Sequence, residues 1–174
     1  MNTRILIILS LLVGIGAVLH AVTPPILFGM KPDMSLAMMF LGIVIFPKLR
    51  YVTLLSIVTG FISALTTSFP LGQIPNIIEK PITAFIFFGM FLLVRNIVNH
   101  NISTAVLTAI GTIVSGSLFL SIALFIVGVD VGAGFIALFV ANVLPATVVN
   151  TIAMIIIYPV VHSIMKRSQP IPIS

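Results

Sequence analysis

Long apolar runs, separated by short polar stretches, make up most of the chain. A helix that crosses a bilayer needs about 20 residues, with roughly 17–25 as the usual range. By this measure the pattern predicts six helical segments, at residues 4–23, 35–47, 50–68, 77–96, 103–127 and 134–165. The second is short for a full crossing, and we expect it to be buried against its neighbours. The sixth is long and contains Pro145 and Pro159, which predict a kink or an extension beyond the bilayer.

Composition fixes the class of protein. Of the 174 residues, 60% are hydrophobic and 6% are charged, with a mean hydropathy of +1.34. A soluble domain carries about 25% charged residues, so this chain is an integral membrane protein. Continuous apolar runs favour helices over a β-barrel, whose strands would alternate polar and apolar residues. We therefore predict an all-α, polytopic membrane fold, with residues 1–174 forming a single six-helix transmembrane domain.

The basic residues predict how the bundle is oriented. If the N-terminus lies inside, the inner side holds Arg4, Lys48, Arg50, Arg95, Lys166 and Arg167, and the outer side holds Lys31 and Lys80. The excess of basic residues on the inner side follows the positive-inside rule and predicts that both termini are cytoplasmic. All three acids, Asp33, Glu79 and Asp130, then fall on the outer side.

The outer connections are predicted at residues 23–34, 69–81 and 128–133, and the first two are rich in Pro and Gly. Proline fixes φ, so these loops have restricted shapes and could cover a small-molecule site. An amino-acid zwitterion needs one charge of each sign from its site. We therefore expect Glu79 to bind the ligand's ammonium group, with Asp33 as its rival, and Lys31 or Lys80 to bind its carboxylate.

Each of these residues also has a purely structural interpretation. Asp33 and Ser35 could cap the second helix, and Asn76 with Glu79 resembles a capping box for the fourth. Lys31 and Lys80 could be interface residues whose ammonium groups lie in water.

Several predicted helices carry polar residues at helical spacing. The third has Ser56, Thr59, Ser63 and Thr66, and the fifth has Thr104, Thr108, Thr112 and Ser115. Such residues commonly let membrane helices pack closely, which is the simplest interpretation. Asn142 and Asn150 in the sixth segment are stronger candidates for ligand contact, since an amide within the membrane needs partners and often faces a cavity.

Other chemistry is not indicated. The chain has no phosphate-binding G-x-x-x-x-G-K-[ST] motif, no H-E-x-x-H motif and no cysteine. His20, His100 and His162 lie far apart in the predicted topology. The net charge of +5 follows from the positive-inside bias. We therefore expect no metal, no cofactor, no nucleic-acid partner and no enzymatic activity.

Two stretches carry a family resemblance. With SLLVGIGAVLH in its first helix and LAMMFLGIVIFPKLRYVTLLSIVTGFISAL in the next two segments, the chain resembles the substrate-binding S-components of energy-coupling factor (ECF) transporters. Within that group it is most similar to the TrpP-like tryptophan transport proteins. The resemblance implies a bacterial cell-membrane importer whose outer loops close over the ligand. It also implies a separate transmembrane scaffold subunit and two ATPase subunits as partners.

The resemblance also implies two sets of functional residues. S-components dock on their scaffold through an A-x-x-x-A motif in the first helix, and the matching spacings here are Ser10-x-x-x-Gly14 and Ala17-x-x-x-Ala21. With tryptophan as the first-choice ligand, Phe28, Phe69 and Phe119 are the candidates to stack on its indole ring.

Two other classes of protein stay open. A stand-alone carrier driven by a proton or sodium gradient would need a charged residue within the membrane, and none is clearly placed there by the sequence. A non-transporting structural or assembly protein would need only the packing stripes.

Overall fold

The computed structural model describes residues 2–24, 31–97 and 100–167, except for the side chains of residues 100, 101 and 167. Within these ranges the chain is helical and has no strand. The first five helices are α1 (Thr3–Val22), α2 (Met34–Ile45), α3 (Leu49–Thr66), α4 (Gln73–Val94) and α5 (His100–Ser121), which continues into the π-helical turn π1 (Ile122–Ile126). The sixth segment comprises α6 (Phe135–Leu138), the π-helical turn π2 (Phe139–Val143) and α7 (Leu144–Arg167). The predicted all-α fold and its six helical segments are confirmed.

Helix α2 lies at the centre of the bundle. It is apolar on nearly every side, and all its residues from Ser35 to Ile45 are buried. It packs against α1, α3, α4, α5 and α7. Its 12 residues rise about 18 Å, well short of the roughly 30 Å of a bilayer core. The other five segments are long and apolar enough to cross a membrane. The prediction of a short, buried second helix is confirmed.

Glycines allow the helices to approach closely. A Cβ at Gly16 of α1 would lie 3.0 Å from the Cβ of Met38 in α2, and Ser35 Oγ donates to the Gly16 carbonyl at 3.2 Å. Gly111 of α5 packs against Phe40 and Phe87, whose rings stack with centroids 4.0 Å apart. Small residues at helix contacts are therefore one source of the bundle's close packing.

The sixth segment changes its helical form next to Pro145. In π2, the Leu144 N–H donates to the Phe139 carbonyl, five residues earlier. Proline has no N–H to donate to the residue four positions before it, and its ring crowds that carbonyl. A π-helical turn is one way to accommodate both effects. The irregularity predicted at Pro145 is therefore a π turn, whereas Pro159 lies inside α7.

Helix α4 begins earlier than its hydropathy predicts, at Gln73 rather than at residue 77. Glu79 and Lys80 therefore lie within the helix and not in a loop. The predicted capping box is wrong, because Asn76 is already inside the first turns and its Nδ2 donates to the Gly72 carbonyl at 2.8 Å. The sequence suggested a loop because Asn76, Glu79 and Lys80 are polar. Their burial and their pairing with distant side chains can be seen only in the structure.

The connections group at two ends of the bundle. At one end the Asn2 N–H donates to the Tyr51 hydroxyl at 3.4 Å, which brings the starts of α1 and α3 together. The end of α1, the start of α2 and the links from α3 to α4 and from π1 to α6 lie at the opposite end. That end is the one that the charge bias places outside the cell.

Cysteine labelling tests this orientation, and the chain has no native cysteine to interfere. Asn96 and Asp130 are exposed and lie at opposite ends of the bundle. Asp130→Cys should react with an impermeant maleimide in intact cells, whereas Asn96→Cys should react only after permeabilisation. Labelling of residue 96 in intact cells would contradict the predicted orientation.

Candidate ligand-binding site

Lys80 of α4 lies between two carboxyl groups. Its Nζ is 2.6 Å from Asp33 Oδ2 and also pairs with Glu79 Oε1. A third contact joins Nζ to Asn76 Oδ1 at 3.3 Å. Lys80 is only 2% exposed, so the interpretation of Lys80 as a water-facing interface residue is wrong. A buried ammonium group is tolerated when it is paired and hydrogen-bonded, and here it has three partners.

Glu79 connects α4 to α5. It is fully buried, and its second oxygen, Oε2, accepts hydrogen bonds from Thr83 Oγ1 at 2.9 Å and from Ser115 Oγ at 2.8 Å. Both carboxyl oxygens therefore have partners. Glu79 is held in one orientation by groups from two helices.

Asp33 connects the start of α2 to the last turns of α1 and α3. It is the N-cap of α2, as one interpretation predicted, and its Oδ1 accepts from the Leu36 N–H at 3.2 Å. Its Oδ1 is also 3.5 Å from His20 Nδ1 in α1, and its Oδ2 accepts from Ser63 Oγ of α3 at 3.4 Å. Burial alone would raise the pKa of the Asp33 carboxyl, but Lys80 and His20 outweigh that effect and lower it to about 2. We call Asp33, Glu79, Lys80 and His20 the charge cluster.

The charge cluster forms part of the wall of a cavity that measures about 620 Å³ with its mouth included. Eight of the nine ligand-contact residues predicted from the sequence line it. These are Lys31, Asp33, Phe69, Glu79, Lys80, Phe119, Asn142 and Asn150. The ninth, Phe28, lies outside the described residues. The structure thus brings together side chains from three predicted helical segments and two predicted outer loops, while their roles in binding stay predictions.

Another wall of the cavity is apolar. Phe69 and Phe119 meet edge to face, with ring centroids 5.4 Å apart and an interplanar angle of 72°. We call these two residues the aromatic pair. Gly116 and Val143 line the cavity as well. The cavity therefore has a charged part and an aromatic part.

Two asparagines line the same cavity. Asn142 Nδ2 donates to the Leu138 carbonyl at 3.3 Å, and Asn150 Nδ2 donates to Thr112 Oγ1 at 3.4 Å. Both side chains are buried, and neither Oδ1 has a hydrogen-bond partner within the described ranges. A buried acceptor without a donor is unfavourable, so its presence in a cavity wall indicates a place for a ligand donor.

Sequence reasoning missed several residues of the site. Thr112 and Ser115 could have been found from the sequence, because they lie on the polar stripe of α5. That stripe was instead interpreted as a helix-packing surface. His20 had only a weak signal, a single polar side chain in the last turn of an apolar helix. Asp130, the third acid of the predicted outer side, is exposed and accepts from the Gly132 N–H at 2.9 Å, and it does not line the cavity.

The predicted docking residues lie on α1, away from the cavity. Ser10, Gly14 and Ala21 are exposed and Ala17 is half-buried. A Cβ built on Gly14 would have no atom of the described structure within 4 Å. This face of α1 is therefore open to a partner or to lipid, and its docking role stays a prediction.

A bundle of membrane-length helices with a partly charged, partly aromatic cavity at one end is typical of a small-molecule transporter. The chain belongs to the family described as "Tryptophan transporter TrpP", whose model matches residues 2–166. The resemblance to TrpP-like proteins is confirmed.

Individual relatives are similar over almost their full lengths. A "Probable tryptophan transport protein" of Bacillus subtilis (strain 168) is 59% identical over 168 residues, which cover 97% of this chain and 96% of that protein. A protein of the same description from Clostridium acetobutylicum is 44% identical over 95% of this chain and 96% of its own. One from Clostridium perfringens is 35% identical, with 96% of each chain covered. No solved structure matches the chain.

The lowered pKa of Asp33 predicts how stability depends on pH. A carboxyl group whose pKa falls from the ordinary 3.8 to about 2 on folding contributes about 2 kcal/mol of stability at pH 7. That contribution is complete above about pH 4 and is lost as the pH falls through 2. Asp33→Asn should therefore lower the free energy of unfolding of the detergent-solubilised protein by about this amount at pH 7.

The control is Asp130→Asn, which removes an exposed acid outside the charge cluster and should leave stability within about 0.5 kcal/mol of the wild type. Thermal unfolding followed by circular dichroism between pH 7 and pH 2 measures both variants. If the difference between wild type and Asp33→Asn has already vanished at pH 5, the ion pair with Lys80 is not the cause.

Proposed function

We propose that this protein binds tryptophan in the cavity and acts as the substrate-binding subunit of an ATP-driven ECF importer in the bacterial cell membrane. The observation that carries the proposal is one cavity that joins a charge cluster, a further lysine and an aromatic pair. The charge cluster suits the ammonium group of tryptophan, the further lysine suits its carboxylate, and the aromatic pair suits its indole ring. Membership of the TrpP family, and relatives named for tryptophan transport, support the choice of ligand.

The charge cluster suits the ammonium group of an amino acid. Asp33 and Glu79 share the single ammonium group of Lys80, so carboxyl groups outnumber lysines at this point of the cavity. Within the described residues Glu79 has Lys80 as its only basic partner, whereas Asp33 also has His20, so a ligand ammonium group adds a positive charge next to Glu79. Lys80 is saturated by its partners and positions the two carboxyl groups.

Lys31 suits the ligand carboxylate better than Lys80 does. It lines the cavity, is only half-buried, and forms no ion pair with any described residue. Its ammonium group can therefore turn toward a bound carboxylate. The aromatic pair then offers ring edges and faces to the indole, with the favourable geometries known for aromatic contacts.

The ECF assignment depends on the exposed face of α1 and on the family resemblance. Ser10 and Gly14 are small residues on a face of α1 that also exposes Ile7, Leu11 and Val18, and another membrane helix can pack closely at such small residues. The scaffold subunit would dock there, and the two ATPase subunits would drive import from the cytoplasm. The predicted orientation, with both termini cytoplasmic, places the cavity outside where ligand is captured.

One observation favours the second candidate, a carrier driven by an ion gradient. Such a carrier needs charged groups inside the bundle, and Glu79 and Lys80 are buried there. The two candidates differ in energy source and in their need for partners, so uptake measurements separate them.

Ligand fluorescence tests the proposed binding, because the chain has no tryptophan of its own. Tryptophan added to the purified protein should bind saturably, with a blue shift of its emission as the indole leaves water. Glu79→Gln removes the charge but keeps the shape, and it should weaken binding roughly 10- to 100-fold, because a hydrogen bond to a charged group contributes about 1.5–3 kcal/mol.

Asp130→Asn is the matched control and should bind tryptophan like the wild type. No saturable binding by the wild type would refute the proposed function. Normal affinity of Glu79→Gln, with lower thermal stability, would give Glu79 a structural role only and move the ammonium contact to Asp33.

Docking is tested by Gly14→Leu, which adds a bulky side chain to the exposed face of α1. Uptake of tryptophan by cells should fall at least tenfold, because close helix approach is blocked, while binding by the purified variant stays normal. Gly89→Leu is the control, since Gly89 is likewise exposed with no atom of the described structure near its Cβ position. Uptake should stop when cellular ATP is depleted at constant membrane potential. If uptake continues after ATP depletion and is unchanged in Gly14→Leu, the protein is instead a carrier driven by an ion gradient.

A further inference from the structure

The orientation of the Asn150 amide is fixed by the Thr112 hydroxyl group of α5. Thr112 Oγ1 donates its only proton to the Thr108 carbonyl at 2.8 Å. It can therefore only accept from Asn150, which must turn its NH₂ group toward it. The Asn150 Oδ1 is left as an acceptor with no donor among the described residues.

The Asn142 amide is fixed in the same way. Its NH₂ group donates to the Leu138 carbonyl at 3.3 Å, and the reverse orientation would place two acceptors against each other. Asn142 is 4% exposed, and its Oδ1 also has no donor among the described residues. The cavity wall thus holds two buried amide oxygens whose direction is determined by the protein.

The two oxygens belong to different parts of the cavity. Asn150 bonds to Thr112, one turn of α5 away from the Ser115 that holds Glu79, so it lies on the side of the charge cluster. Asn142 precedes Val143, which packs with Phe69 and Phe119 and against Gly116. It therefore lies on the side of the aromatic pair. The asparagines are eight positions apart in the sequence, which separates them by about 12 Å along the helix.

We infer that Asn142 Oδ1 accepts the indole N–H of the ligand, and that this contact makes the site select aromatic rings that carry a hydrogen-bond donor. The inference rests on the proposed function, since it assumes that tryptophan occupies the cavity. Asn150 Oδ1 lies with the charge cluster and accepts from the ligand's ammonium group. The indole then lies at the aromatic pair with its single N–H directed at Asn142 Oδ1.

The site discriminates between ligands because one that lacks the N–H leaves Asn142 Oδ1 unpaired. A ligand of the same shape without the N–H would bury Asn142 Oδ1 against apolar atoms, which is far less favourable than forming the bond. Sites built around such a hydrogen bond reject analogues that lack it more strongly than apolar pockets reject a change of size. Phenylalanine and sulfur-containing isosteres of tryptophan should therefore bind poorly.

The test compares tryptophan with 3-(benzothiophen-3-yl)alanine, in which sulfur replaces the indole N–H at nearly the same size. Calorimetric titration of the wild-type protein should give roughly 10- to 100-fold weaker binding of the analogue. Asn142→Leu should lose affinity for tryptophan by a similar factor and bind the analogue at least as well as the wild type does. Analogue binding by that variant also shows that it is folded.

Asn150→Leu is the matched control, because it should weaken both ligands by the same factor through the ammonium group that they share. Equal binding of the two ligands by the wild type overturns the inference, and it does so without any variant. Selectivity that disappears in Asn150→Leu but not in Asn142→Leu also overturns it. If the wild type does not bind tryptophan, the proposed function fails instead, so the two failures are distinguishable.

Discussion

The burial of Lys80 between two carboxyl groups is the constraint on which the rest of the site depends. An ammonium group away from water is stable only while its partners stay in place. Those partners belong to the start of α2 and to α4, and through Ser63, Ser115 and His20 they reach α3, α5 and α1. Five helices must therefore meet correctly at one end before the lysine is satisfied. Loss of a single partner would leave a charge buried without compensation.

This constraint also divides the cavity. The carboxyl groups of the charge cluster lie on the side of α2 and α4, because both pair with Lys80 there. Asn142 and the aromatic pair lie in another part of the cavity, and Asn150 lies nearer to the charge cluster. A ligand with one charged end and one aromatic end fits this division without burying a charge against a ring. In the proposed function, electrostatics sets the direction of the ligand, and Asn142 distinguishes among rings.

Much of the fold was predictable because lipid imposes simple rules. Long apolar runs must be helices, and the short run at α2 had to be buried. The scarcity of charged residues pointed to the residues that line the candidate site, since few were available. The pairing of Lys80 was not predictable, because adjacent Glu79 and Lys80 look like the polar start of a helix when their neighbours in space are unknown. Because the sequence does not show neighbours in space, the start of α4 was predicted too late and His20 was not included in the site.

The shortness of α2 has a consequence for how the chain enters the membrane. Independently stable helices that later associate are the usual account of membrane-protein folding. With 12 residues, α2 cannot form such a unit, because its ends would leave backbone groups in hydrocarbon. It becomes stable only when α1 and α3 flank it and Asp33 caps its first turn. We therefore expect α2 to reach its final place only after the helices that flank it have been made.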